Sequence, residues 1–245
     1  MKNPAAGGGR WVDVPPERLV SWIVTFTQRH GAGSVSGDEA GVTVTFAAAD
    51  GAVAECHPPF PPLRLPPLRL PPLGLPPLRP AGSDDPAAIA VAIAAHATAE
   101  RTVGVLLVRL GGYAVGVFAG SPPRLVSSKT GSRPVHGRSA AGGWSQHRFA
   151  RRRDNQAATA LRAAADAAVS IFAQHHLDQL VLGGDKRSVA GIRGDPRLAR
   201  YLALATERFL TVPDPRLAVL KEIPRSFLSV RIRVTEPEYS GPATG

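Results

Sequence analysis

The order of apolar and polar positions along the chain predicts a first folded region near the amino terminus. Between residues 15 and 30, apolar side chains recur at the spacing of one helical face, after two prolines. Residues 42–46 and 52–56 alternate as two strands around a short turn. We therefore predict a small α+β domain over residues 11–57, preceded by a disordered leader over residues 1–10.

A proline-rich segment follows this first region. From Pro61 the sequence repeats a five-residue unit as PPLRL, PPLRL, PPLGL and PPLRP. Paired prolines at this density are incompatible with a helix or a central strand. Residues 58–83 are accordingly predicted to be an extended polyproline II linker, with a docking peptide for a groove as the alternative.

The second region, residues 84–236, alternates strand-like and helix-like stretches. The pattern predicts strands at 103–110, 113–119, 123–128, 179–182 and 227–234, and helices at 84–100, 146–176, 196–205 and 215–221. Such alternation is typical of an α/β layer domain. We expect a disordered tail over residues 237–245.

The positive charge of the chain is concentrated in one stretch of this second region. The protein has 29 Lys and Arg against 19 Asp and Glu, a formal net charge of +10. Residues 129–153 contain no acid and seven basic residues: Lys129, Arg133, Arg138, Arg148, Arg151, Arg152 and Arg153. Like charges at helical spacings of three and four repel each other, so this cluster favours a phosphate-bearing partner.

The centre of this basic stretch is a glycine-containing loop, 136–146, with the sequence HGRSAAGGWSQ. Glycines such as Gly142 and Gly143 allow the backbone to approach a ligand closely. A helix that starts just after them presents free N–H groups. Gln146 supplies a neutral amide, whereas Trp144 has two interpretations, a packing anchor for the loop or a side chain that stacks on a base.

The segment HGRSAAGGWSQHRFARRR resembles the catalytic loop of eukaryotic and archaeal class-1 peptide-chain release factors. In that family a His-Gly-Arg lead-in precedes Gly-Gly-Gln and an Arg-Phe-Ala-Arg helix. Here Ser139, Ala140 and Ala141 lengthen the loop, Trp144 stands at the glutamine position, and the glutamine follows as Gln146. This shifted pattern is similar to the release-factor-like branch of ribosome quality control (the Vms type), and in particular to its actinobacterial members.

The resemblance covers about residues 102–236 and includes LVLGGDK at 180–186. It implies the release-factor central-domain fold, a ribonuclease-H-like mixed sheet with a long helix after the glycine loop. It also implies a hydrolase that cleaves the ester of peptidyl-tRNA in the peptidyl transferase centre. Gln146, Gly142 and Gly143 would then be catalytic. The implied RNA-binding residues are Lys129, Arg133, His136, Arg138, Trp144, Arg148, Arg151, Arg152 and Arg153.

The implied partners are the large ribosomal subunit, its rRNA and peptidyl-tRNA, with no cofactor and no metal. The first region lacks the Asn-Ile-Lys-Ser motif with which the family reads stop codons, so we expect no decoding. We expect a cytoplasmic monomer. We expect no membrane association, because the most apolar run, 87–95, is too short to span a bilayer. Cys56 is the only cysteine, which excludes an internal disulfide and a cysteine-based metal site.

Two alternatives remain at this point. One is a non-catalytic ribosome- or RNA-binding factor of the same fold, in which the loop is inactive. The other is a metal-dependent nuclease, which would need clustered carboxylates, and the candidates are Asp154, Asp166, Asp178 and Asp185.

Overall fold

The computed structural model describes residues 3–5, 8–63, 85–109, 111–132 and 145–237, and for residue 3 and residues 145–155 it describes the backbone alone. The described residues form eleven strands: β1 (Asn3–Pro4), β2 (Arg10–Val14), β3 (Ser34–Gly37), β4 (Val44–Ala47), β5 (Val53–His57), β6 (Val103–Arg109), β7 (Gly112–Ala119), β8 (Arg124–Ser132), β9 (Gln179–Gly184), β10 (Ala205–Leu210) and β11 (Val230–Thr235). They also form a 3-10 turn at Pro196–Leu198 and six α-helices: α1 (Pro16–His30), α2 (Pro86–Thr98), α3 (Ser145–Phe172), α4 (Lys186–Arg193), α5 (Ala199–Leu202) and α6 (Leu217–Leu228).

The chain divides into two compact units, and the first combines Met1–Ala99 with Leu228–Gly245. Its six-stranded antiparallel sheet has the order β1-β2-β11-β5-β4-β3. Helix α1 begins at Pro16, whose fixed φ suits the first helical position, and it buries Leu19, Ile23 and Phe26 against the sheet. Helix α2 packs against α1, so both helices cover the same hydrophobic core.

The second unit, Glu100–Phe227, contains a five-stranded mixed sheet in the order β10-β9-β6-β7-β8. Strands β6, β9 and β10 are parallel, whereas β7 and β8 add antiparallel pairs at one side. Helices α3 and α4 cover one face through a shared core. Helix α6 covers the other face, where a Cβ on Gly116 would lie 2.9 Å from Leu220. The predicted α/β class, with a mixed sheet and a long helix after the basic loop, is confirmed.

The structure differs from the expected boundaries because two elements that we placed in the 84–236 region belong to the first unit. Strand β11 pairs with β2 and β5, so that Ile232 lies between Val12 and Cys56. Helix α2 contributes Ala90 and Ile93 to the first core. The alternating pattern of β11 correctly predicted a strand but carried no information about its partners.

Two segments expected to lack structure are partly ordered by packing in the same unit. Residues 1–10 were expected to be a leader, yet Asn3–Pro4 pairs with the start of β2. The expected linker begins with packed residues: Phe60 and Leu63 are buried, and His96 Nε2 donates to the carbonyls of Pro59 and Phe60. The remaining linker, 64–84, and the tail from 238 onward lie outside the described residues.

Local periodicity missed two elements of the second unit, and the observed bounds of other elements differ from the predicted ones. We expected a helix over 196–205, where the chain instead forms a 3-10 turn and the short α5, and then enters β10. Helix α4 was not anticipated. Strand β8 continues to Ser132, and α6 continues to Leu228. Within the described ranges no helix combines the length and apolarity needed to cross a membrane.

Candidate nucleic-acid interface

The hairpin of β7 and β8 leads the chain into the basic loop. Val115 pairs with Lys129, and the ladder continues until Gly112 faces Ser132. Gly131 is required here, because a Cβ would lie 2.5 Å from the Tyr113 ring that packs against the core. Lys129, which we predicted to contact RNA, is exposed on β8. The basic loop therefore starts from the edge strand β8, which is paired with β7 as far as Ser132.

Helix α3 receives the chain after the loop and spans 28 residues, a length of about 42 Å at the usual rise of an α-helix. Its carboxyl-terminal half is anchored in the core. Ala164, Ala168 and Phe172 are fully buried, and the Phe172 ring lies 5.3 Å from that of Tyr201. Small alanine side chains bring this half of the helix close to the sheet. The first turns of α3 extend from this anchored half.

The first turns of α3 carry most of the predicted site that the structure describes. Gln146 is the second residue of the helix, and Arg148, Arg151, Arg152 and Arg153 follow within two turns. Because residues three and four apart are neighbours on a helix surface, positions 148, 151 and 152 share one side. The loop residues Arg133, His136, Arg138, Gly142, Gly143 and Trp144 lie outside the described residues.

Three of the four carboxylates considered for a metal-dependent nuclease have other partners, while the side chain of the fourth, Asp154, lies outside the described residues. Asp166 Oδ1 lies 2.8 Å from Arg197 Nη1, and Asp178 accepts a 2.7 Å hydrogen bond from the backbone N–H of Thr102. Asp185 accepts hydrogen bonds from the backbone N–H and the hydroxyl of Ser188. No group of three or more metal-ligating side chains occurs in the part of the chain described here. Each of these three carboxylates thus has a structural role.

A second group of basic residues follows β9, where the sequence pattern indicated only a strand and a turn. Gly184 makes the turn at φ 111°, and a Cβ there would overlap the carbonyl oxygen of Val108. Helix α4 then packs against α3 so closely that a Cβ on Gly191 would lie 2.7 Å from Leu161 Cδ1. Its basic residues Lys186, Arg187 and Arg193 are exposed. The excess of basic residues between 186 and 200 was the signal that could have identified them.

One arginine of this region is already neutralised by acids. Arg197 Nη2 lies 2.7 Å from Asp195 Oδ2, and its Nη1 contacts Asp166. The Arg197 guanidinium lowers the pKa of the Asp195 carboxyl, while Asp195 and then Asp166 raise the pKa of Arg197. Arg197 therefore ties α3 to the turn before α5 and is not a free cation for a polyanion.

Comparison with known proteins gives one family match. The family model described as "Actinobacteria/chloroflexi VLRF1 release factor" matches residues 101–233, which is more than half of the chain. No curated protein sequence matches. Solved structures that are similar include an archaeal translation termination factor, aRF1, at 12% identity and a TM-score of 0.36, covering 89% of this chain and 66% of that one. Another is titled only as an archaeal protein, at 12% identity and a TM-score of 0.32, covering 86% and 62%.

This chain therefore spans slightly less than two thirds of the length of those two structures. Both structural similarities are weak, and the family match is the finding that identifies the chain.

Proposed function

The chain belongs to the actinobacteria/chloroflexi VLRF1 release factor family, and we propose that it hydrolyses the ester of peptidyl-tRNA on the large ribosomal subunit. The substrate is a nascent peptide stranded on its tRNA, so the protein would act in ribosome rescue and not in stop-codon reading. The reacting segment would be the loop 136–146, with Gln146 and the Gly142–Gly143 pair at its centre.

The placement of Gln146 and the basic cluster on α3 supports this proposal most directly. The carboxyl-terminal half of α3 is held by the core that surrounds Phe172. The opposite half begins at the loop and carries four arginines within its first nine residues. Arginines pair with phosphate oxygens in a fixed fork geometry. Such contacts would position the loop in a cavity walled by rRNA, and positioning is a large part of catalysis when water must attack one bond.

The chemistry requires an oriented water and a stabilised tetrahedral oxyanion. A glutamine amide is not a base at neutral pH, but its carbonyl can accept a hydrogen bond from the attacking water. A backbone N–H of the loop can donate to the developing negative charge. Ribosomal RNA would supply the remaining groups. The water oxygen bonds to the ester carbon, and the bond from that carbon to the tRNA 3′ oxygen breaks. The 3′ oxygen takes one proton of the attacking water.

The proposal is tested with isolated large subunits that carry a labelled peptidyl-tRNA. Gln146→Ala removes the amide carbonyl that would orient the water, and it should slow peptide release by about 10²- to 10³-fold, the order of the loss seen when one preorganised hydrogen-bonding group is removed from an oxyanion site. The matched control is Gln156→Ala, an exposed glutamine on the same helix, which should release at the normal rate.

Three other results would favour other functions. Full activity of Gln146→Ala would exclude that glutamine as the reacting group. Binding without any release by the wild type would identify the non-catalytic RNA-binding factor. Cutting of the tRNA that EDTA abolishes would identify the metal-dependent nuclease.

A further inference from the structure

A groove of about 460 Å³ crosses the first unit. Most of this unit lies outside residues 101–233, which the family model matches. One wall is α1, which contributes Arg18, Trp22 and Arg29. The other wall is formed by β2 and the end of β11, with Arg10 and Glu236 at the rim. Val12, Val14 and Val234 make its floor apolar. We refer to this feature as the α1 groove.

The two walls of the α1 groove differ in charge. On the strand side, Arg10 lies 3.5 Å from Glu236, and Glu236 is also 3.6 Å from His30 Nε2. Asp13 is a further acid on that wall. On the helix side, Arg18 and Arg29 are exposed, and neither pairs with a carboxylate among the residues that the structure describes. The helix wall therefore presents two unneutralised cations.

An aromatic side chain lies between these two cations. Trp22 is one turn after Arg18 and is half-buried, stacked on Phe26 at 5.7 Å with the rings almost parallel. Arg18 and Arg29 are eleven positions apart, which corresponds to about 16 Å along the helix. The wall thus has a cation, an indole and a second cation along a line of about 16 Å.

We propose that the α1 groove binds single-stranded RNA, with phosphates on Arg18 and Arg29 and a base against Trp22. Proteins that hold single strands without reading sequence combine a basic track with aromatic side chains on which bases stack. An acidic peptide would use the arginines equally well but would gain little from the indole. The opposite face of the same sheet fits RNA less well, because Arg231 already covers the Trp11 ring and Arg233 is paired with Glu55. This RNA contact does not depend on the proposed hydrolysis.

The test uses the intrinsic fluorescence of Trp22, which separates this groove from the basic loop. The chain has three tryptophans, so the full-length Trp11→Phe/Trp144→Phe variant reports on Trp22 alone. Titration with an oligouridylate of about eight nucleotides should quench Trp22 to saturation, as stacking on an aromatic ring requires.

Charge removal then tests the phosphate contacts. Arg18→Ala/Arg29→Ala, in the same background, should weaken binding at least tenfold and lower the slope of log K against log salt by about 1.4, or about 0.7 for each phosphate contact on a single strand. The control Arg216→Ala/Lys221→Ala removes two exposed charges from the region of α6 and should leave the Trp22 titration within about twofold of the parent, since neither residue lines the groove.

The proposal fails on any of three results. One is that RNA does not quench Trp22. Another is that the two double variants titrate alike. The last is that oligoglutamate of equal length quenches Trp22 as strongly as RNA, in which case the groove accepts acidic peptides.

Discussion

Substitution of Asp185 tests whether this acid, at the start of α4, stabilises the fold or takes part in the reaction. Asp185 lies at the N-cap of α4 and accepts hydrogen bonds from Ser188 at 2.8 Å (backbone N–H) and 2.7 Å (hydroxyl). Ser188 is only 8% exposed. Replacement by alanine removes both acceptors at once and leaves the buried hydroxyl without this partner.

The expected loss can be worked out from these two hydrogen bonds. Replacing an N-cap aspartate by alanine costs about 1 kcal/mol. An unpaired buried hydroxyl costs about 1–3 kcal/mol. Asp185→Ala should therefore lower the free energy of unfolding by about 2–4 kcal/mol. Asp185→Asn should lose less than about 1 kcal/mol, because asparagine is an equally good N-cap.

Ser188→Ala provides the matched control. It removes the hydroxyl together with its hydrogen bond and should cost about 1 kcal/mol. The double variant Asp185→Ala/Ser188→Ala should lose less than the sum of the two single losses, since it contains no orphaned hydroxyl. The cap and the hydroxyl would then be energetically coupled.

Urea unfolding followed by circular dichroism measures these free energies, and hydrogen exchange of residues 185–193 assigns the loss to α4. If asparagine is as damaging as alanine, the charge matters and the capping argument is wrong. If Asp185→Asn is stable yet releases no peptide, Asp185 acts in the chemistry and the structural assignment must be abandoned.

Three further predictions follow from the charges and the packing. Replacing Arg151 to Arg153 together by alanine should lower the salt slope of ribosome binding by about 0.7–0.9 for each phosphate that these arginines neutralise, and an unchanged slope would exclude such contacts. Burial holds the pKa of His57 below 6.5, with help from Arg231 and Arg233 and against the pull of Glu55 and Asp38. Because the folded state then binds fewer protons than the unfolded state, thermal stability should fall as the pH drops below 6.5. His57→Phe should abolish that contribution. Phe172→Ala should lower the free energy of unfolding, measured in urea, by about 3–5 kcal/mol. The control Ser170→Ala, at an exposed position of the same helix, should lower it by less than about 0.5 kcal/mol. Equal losses would mean that α3 is not anchored through Phe172.

The elements that sequence reasoning predicted well are those whose signal is local. Helix α1 was defined by its entry prolines and by the spacing of Leu19, Ile23 and Phe26. Strands β6 and β7 were predicted within one or two residues at each end, because they are runs of apolar residues bounded by glycine or charge. In contrast, β10 has the sequence ATERFL, in which half-exposed positions dilute any alternation. An edge strand with a polar side carries too weak a pattern for its sequence to reveal it.

The candidate site shows the same division. The basic cluster and its position before a long helix were readable, since charge counts and helical periodicity need no tertiary information. The roles of Asp166 and Asp185 were not readable, because each depends on a partner held in place by the fold. The α1 groove was also missed: Arg18, Trp22 and Arg29 look like an ordinary helix surface until β2 and β11 supply the opposite wall.

The sequence by itself determined the secondary structure of the strongly periodic segments, the excess of positive charge before and within α3, and the family to which residues 101–233 belong. Only the tertiary structure decided that β11 completes the sheet of the first unit, where Arg233 pairs with Glu55 across 178 positions. The physical reason is that an alternating strand specifies which of its faces is apolar but not which strand lies beside it. Backbone hydrogen bonding is the same for every sequence, and the choice of partner comes from the complete set of surfaces that the folded chain must bury.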